Sequence, residues 1–204
     1  MSMGKAFYHI LTSIWKLEQI PDMWNEVLIC NLFKTRDPEL MVNYRGISLI
    51  LVGLKVLLGV MADRLYVGCK EAQLLVPEQA GFRRKEEAVA QYIAIAEIAR
   101  HRSIDGKSTY AIFVDFKKAF DKVHHEALYR ILDNMGVRGK FLNVIKYMYH
   151  NSKMTVRAGG RTTRFFGMKQ GNRQECPLLP LLFIIFVNRL LRDTSCGDVT
   201  VPGV

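Results

Sequence analysis

The chain has 204 residues, half of them apolar, enough to bury a core as one sizeable domain or two small lobes. Lys and Arg number 29 against 19 Asp and Glu, and this net charge of +10 favours a polyanionic partner, nucleic acid or an anionic membrane face, over a purely solvated basic surface. The four scattered cysteines lack zinc-ligand spacing, no secretory signal pattern opens the chain, and no apolar run is long enough to span a membrane; a reduced intracellular compartment, nucleus or cytoplasm, fits.

Phe7, Ile10, Leu11, Ile14 and Leu17 mark an amphipathic helix that Pro21 closes off. Val27 to Lys34 is strand-like, Asp37-Pro38 is a turn, and Tyr44 to Leu49 is a second extended piece. Lys34 and Arg45 near that turn suit a hairpin that grips phosphates, although either base alone reads as a solvated charge. Leu54, Leu57, Leu58, Met61 and Leu65 make a helix. Gly81-Phe82-Arg83-Arg84-Lys85 combines a ring for stacking with three bases for a nucleic-acid backbone; without context it reads as a helix-entry loop. A helix over about 86–100 follows, with Val89, Tyr92, Ile93, Ala96 and Ala99 expected inward.

Tyr110 to Phe116 is apolar except for Asp115 and reads as a strand buried on both faces after the Asp105-Gly106 turn. A carboxylate inside such a run costs several kcal/mol unless it is paired. At the strand's end it can instead face a cleft and hold a metal ion. On this segment the metal reading and a locally paired core Asp stand level. After Phe120 the period becomes helical, through Val123, Ala127, Leu128, Ile131, Leu132 and Met135 to a C′ glycine, Gly136. His124-His125-Glu126 reads as surface or capping residues, since adjacent helical positions diverge. A helix over Phe141 to Tyr149 precedes a hairpin, Met154 to Ala158 and Arg161 to Phe166 about Gly159-Gly160, that carries Arg157, Arg161 and Arg164. Residues 167–171 form a loop, and Pro177 to Leu191 a mostly apolar helix.

Six blocks fall in one order: Ile20-Pro21 with Trp24; Leu32-Phe33-Lys34; Asn43 to Leu49; Gln79 to Arg83; Phe113 to Asp121; and Gln170-Gly171 with Cys176-Pro177 and Pro180 to Phe183. Together, from about Phe7 to Leu191, they resemble the reverse transcriptase domain of non-LTR (LINE-type) retrotransposons. The resemblance implies an α+β right-hand polymerase, with fingers over 1–105, a partial palm over 106–192 whose sheet is ferredoxin-like, and an irregular tail over 193–204. It implies addition of deoxynucleotides to a DNA primer on an RNA template, with Mg²⁺ or Mn²⁺ ions about 3.5–4 Å apart. Asp115 then matches the first catalytic metal carboxylate. Phe120 matches the aromatic under the incoming sugar, which leaves no room for a 2′-hydroxyl, and Ala119 lies beside the triphosphate. Arg45 and Lys34 neutralise phosphate, Gln170 and Gly171 line the nascent base pair, and Arg83 with Arg84 and Lys85 meets the nucleic acid.

Three departures set an expectation. No Asp-Asp pair occurs, so the family's aromatic-x-Asp-Asp hairpin is missing, and the thumb with it. Asn172 to Glu175 intervene between Gln-Gly and Cys-Pro, and Leu179 replaces a serine. Arg189 follows Asn188 where an Asp is usual. The chain on its own is therefore expected not to polymerise, as a truncated copy or a fragment of a longer polyprotein, and to self-associate through an exposed palm edge. The alternatives are a non-catalytic RNA or RNA–DNA binding module and a retroelement relic.

Overall fold

The structure, a computed structural model, describes residues 2–77, 79–84, 86–171 and 175–193, with Ala88 and residues 190–193 by backbone alone. The α+β expectation holds: six helices accompany one mixed sheet among the described residues. Helix α1 (Met3–Leu17) ends where Glu18 turns left-handed, φ 60°. It buries Ile14 and sets Trp15 edge-on against Phe141, ring centres 6.1 Å apart.

Strands β1 (Glu26–Phe33) and β2 (Tyr44–Leu49) form the antiparallel hairpin foreseen from the Asp37-Pro38 turn, in register from Leu28 opposite Leu49 to Phe33 opposite Tyr44. Strand β3 (Lys153–Ala158) lies parallel to β1, with Val27 opposite Met154. It turns back through Gly159 and Gly160, φ 56° and 76°, into β4 (Arg161–Thr162). Two successive positive φ angles are the demand of a two-residue hairpin turn, and glycine meets it without steric cost. Strand β5 (Phe166–Gly167) also pairs with β3, and the order is β2-β1-β3-β4.

The core lies among α2 (Val52–Glu71), α4 (His125–Asn134), α5 (Lys140–His150) and α6 (Leu179–Asp193). Leu58, Leu128, Leu132, Ile145, Met148 and Leu182 are wholly inaccessible there. Each such side chain contributes roughly 1.5–3 kcal/mol by leaving water. Asn188 on α6 ties this core to the loop after α2: its Oδ1 accepts from the Val76 N–H at 2.8 Å and its Nδ2 donates to the Leu74 carbonyl at 2.9 Å. Cys30, Cys69 and Cys176 are free thiols, and burial pushes Cys69 up to about 11, so it stays protonated at neutral pH. Among the described residues no helix is long and apolar enough to cross a membrane.

Two expectations are corrected. Tyr110–Phe116 is not a buried strand. It is extended coil with no ladder partner among the described residues, and Tyr110, Ile112 and Phe113 are 92%, 91% and 84% exposed. An apolar run becomes a strand only where another strand satisfies its backbone. Helix α3 (Ala88–Ile104) is also not inward-facing: Val89, Tyr92, Ile93 and Ala96 are exposed, Ala99 is half-buried, and none of its described side chains is buried. Its apolar residues spread around the helix rather than forming one stripe, so the period does not select a face. Of the tail expected over 193–204, Asp193 closes helix α6 and residues 194–204 lie outside the described residues.

Candidate functional site

The extended 110–116 segment leads through Lys117 to Lys118, whose left-handed backbone (φ 54°, ψ 47°) reverses the chain into a short 3₁₀ turn, Ala119–Lys122. A non-glycine residue held there costs about 1–2 kcal/mol and is sustained by its surroundings. The Asp121 N–H closes the turn on the Lys118 carbonyl at 3.0 Å. Phe120 projects from this turn between two rings: Phe183 of α6 at 4.4 Å and, edge-on, Phe82 at 6.0 Å.

Two cavities are lined by these rings, one by Phe82 and Phe120 and the other by Phe183. One, about 340 Å³, is lined by Arg45 from β2, Phe82, Phe120, Glu175 and the Pro177–Pro180 entry to α6. The other, about 220 Å³, is lined by Asp115, Lys117, Ala119, Lys122, Phe183 and Phe186. Asp115 is therefore exposed and faces a groove, rather than being walled into hydrocarbon. Four separated segments converge on the first cavity, and each brings an aromatic, a base or a rigid proline.

The 167–171 loop is docked behind the turn. Gly171 has φ +87°, and a Cβ there would sit 2.9 Å from the Asp121 carbonyl oxygen. Its N–H donates to the Val123 carbonyl at 2.8 Å, and its own carbonyl accepts from His125 Nε2 at 2.6 Å. Gln170, next to it, is exposed. Contrary to the surface reading, His125 is 7% exposed, its ring 4.4 Å from that of Tyr149. Burial holds its imidazole below the usual range, the Gly171 contact opposing. A readable signal existed: His125, Leu128 and Leu132 share one helical face.

The remaining expected contacts fall as follows. Lys34 is exposed just past β1, its N–H on the Asn43 carbonyl, and it does not line either cavity. Arg83 gathers its own loop, Nη1 lying 3.3, 3.3 and 3.4 Å from the carbonyls of Val76, Pro77 and Gln79. Arg84 pairs with Asp63 and lies over the Tyr66 ring at 4.8 Å. Lys85 and residues 172–174 lie outside the described residues.

Among the described residues no three His, Cys, Asp or Glu side chains converge. Asp115 shares its cavity with Lys117 and Lys122, and among the described residues no other carboxylate lines it. Two dications about 4 Å apart repel by roughly 17 kcal/mol even at an effective dielectric of 20. One carboxylate beside two ammonium groups does not offset that, so the described donors do not fit a metal pair.

Comparison with known proteins bears on this arrangement. The family described as reverse transcriptase (RNA-dependent DNA polymerase) matches residues 34–200. The retrovirus-related Pol polyprotein from the type-1 retrotransposable element R2 of Popillia japonica is 27% identical over 186 residues, 91% of this chain and 25% of that protein. The transposon TX1 uncharacterized 149 kDa protein of Xenopus laevis is 24% identical over 190 residues, 93% of this chain and 14% of that protein. The probable RNA-directed DNA polymerase from transposon BS of Drosophila melanogaster is 26% identical over 178 residues, 87% and 20%. The chain thus spans a quarter or less of the length of these relatives.

Proposed function

This chain belongs to the reverse transcriptase (RNA-dependent DNA polymerase) family, and we propose that its Arg45–Phe82–Phe120 cavity receives an incoming deoxynucleoside triphosphate during RNA-templated extension of a DNA primer. It is a reverse transcriptase domain of the kind found in retrotransposon polymerases. The observation that carries the reading is the convergence of Arg45, Phe82, Phe120 and the Pro177–Pro180 segment on one cavity.

In this reading the Arg45 guanidinium neutralises phosphate oxygens with charge-assisted hydrogen bonds. Phe120, held between Phe82 and Phe183, presents a fixed ring beneath the sugar and excludes a 2′-hydroxyl by volume. A ring wedged on two sides cannot swing aside, which is what steric exclusion requires. The Gln170–Gly171 loop, tied to the turn that bears Phe120, borders the nascent base pair. Residues 1–105 act as fingers and 106–192 as palm, joined by the β1–β3 pairing. The family depends on divalent metal, and Asp115 is the single carboxylate that the described residues bring to this groove, too few to hold a metal pair.

The test is binding of deoxy- and ribonucleoside triphosphates to the chain carrying an RNA–DNA primer duplex. Preference for the deoxy form should disappear in Phe120→Ala, and Arg45→Ala should weaken both by about tenfold or more, the worth of a charged hydrogen bond. Equal affinity for the two sugars in the unaltered chain removes the reading.

The single carboxylate among two lysines favours a second reading, that the chain holds RNA or an RNA–DNA duplex without chemistry. Mg²⁺- or Mn²⁺-dependent primer extension by the purified chain, abolished by Asp115→Ala, decides against it.

A further inference from the structure

Every polar main-chain atom of Gly171 is tied to the start of α4. Its N–H reaches Val123, its carbonyl reaches His125, and a Cβ on it would run into the Asp121 backbone. These partners lie within five residues of Phe120. A buried imidazole N–H needs an acceptor, and the one it finds lies 46 residues downstream. The carbonyl accepts, so His125 Nε2 must carry the proton and donate.

Resting on the nucleotide reading above, we propose that His125 is a positioning residue that holds the Gln170–Gly171 loop against the turn that bears Phe120 and so fixes where Phe120 stands in the deoxynucleotide pocket. It touches no substrate. Its bond to Gly171 fixes where exposed Gln170 projects, and its packing on Tyr149 fixes the ring that makes the bond. The competing account is an ordinary satisfied core histidine, whose loss would lower stability without singling out that loop.

Two substitutions separate these accounts in the full chain. His125→Phe keeps a ring against Tyr149 and removes the donor. His125→Gln restores an N–H at a reach close to that of Nε2. Amide hydrogen exchange over 168–171 should accelerate about tenfold or more in H125F, the loss of one net hydrogen bond, and return towards the unaltered rate in H125Q. Deoxynucleotide affinity should fall about tenfold in H125F with primer–template affinity unchanged, and recover in H125Q. Unchanged exchange over 168–171 in H125F overturns the proposal, as does faster exchange with unaltered deoxynucleotide affinity. If the unaltered chain takes no deoxynucleotide, the proposed function and the pocket-setting role fall together; the exchange result still decides whether His125 restrains the loop. Should H125F not fold, His125→Asn, too short to reach Gly171, takes its place.

Discussion

Gly171 is the position where the smallest change should do the most damage. Alanine would have to adopt φ +87° and place its Cβ 2.9 Å from a backbone oxygen that cannot rotate away. Gly171→Ala should therefore cost about 2–4 kcal/mol in urea unfolding, combining backbone strain with a clash against Asp121. A cost below about 0.5 kcal/mol would show that the loop is not docked as described. His125 adds a pH dependence of known sign. Burial, assisted by His150 and His124 and opposed by the Gly171 bond and Glu126, depresses its folded value. The unfolded chain then binds the extra proton first. Stability from this residue is complete above about pH 6.5 and is lost as pH falls through the folded value. Unfolding of H125Q should lack this component between pH 7 and 5, a difference measured against the unaltered chain.

At the scale of elements, two segments carry apolar side chains into water. Ile93 on α3 is 54% exposed, whereas Ile145 on α5 is wholly inaccessible. Ile145→Ala should cost about 2–5 kcal/mol and Ile93→Ala under about 0.5 kcal/mol in the same denaturant assay. Similar costs would mean α3 packs on the core after all. The 110–116 segment offers backbone without a strand partner among the described residues, with exposed Ile112, Phe113 and Val114. Such an edge invites pairing between copies. Sedimentation should show concentration-dependent association that Ile112→Lys with Val114→Lys suppresses, and a monodisperse monomer removes the idea. These segments also show what the sequence can and cannot disclose. The β3–β4 hairpin is readable because Gly159-Gly160 decides it locally. Helix α4 is readable because its apolar stripe repeats at 3.6. The fate of Tyr110–Phe116 is not readable, since a strand's existence depends on a neighbour that its own residues do not encode. In the site, the meeting of Arg45 and Phe120 on one cavity follows from the motif blocks, whereas the contact of Phe82 with Phe120 and the bond from His125 to Gly171, which crosses 46 positions, leave no local trace.

Across the whole molecule, the charge of +10 gains direction from the sheet. Because β1 and β3 run parallel, the turns that follow them lie at the same end. That end gathers Lys34 and Arg36 with Arg157 and Arg161, all exposed, against Asp37 and Glu39, and exposed Arg164 follows on the segment that returns from it along β3. Isolated surface bases give a protein little affinity for anything, but bases clustered along one edge displace several counterions from a single nucleic-acid strand at once. Each phosphate so neutralised adds about 0.7 to the slope of log affinity against log salt on single-stranded RNA. Replacing Arg157, Arg161 and Arg164 together by alanine should therefore reduce that slope by about 2. The loss of affinity should be larger at 50 mM salt than at 200 mM, where screening has already weakened the contacts. If the triple variant loses affinity equally at both concentrations, its arginines hold no phosphate and the basic end of the sheet is only a solvated surface. If the slope falls as expected while Phe120→Ala leaves it unchanged, the strand-gripping edge and the nucleotide cavity are separate devices on one fold.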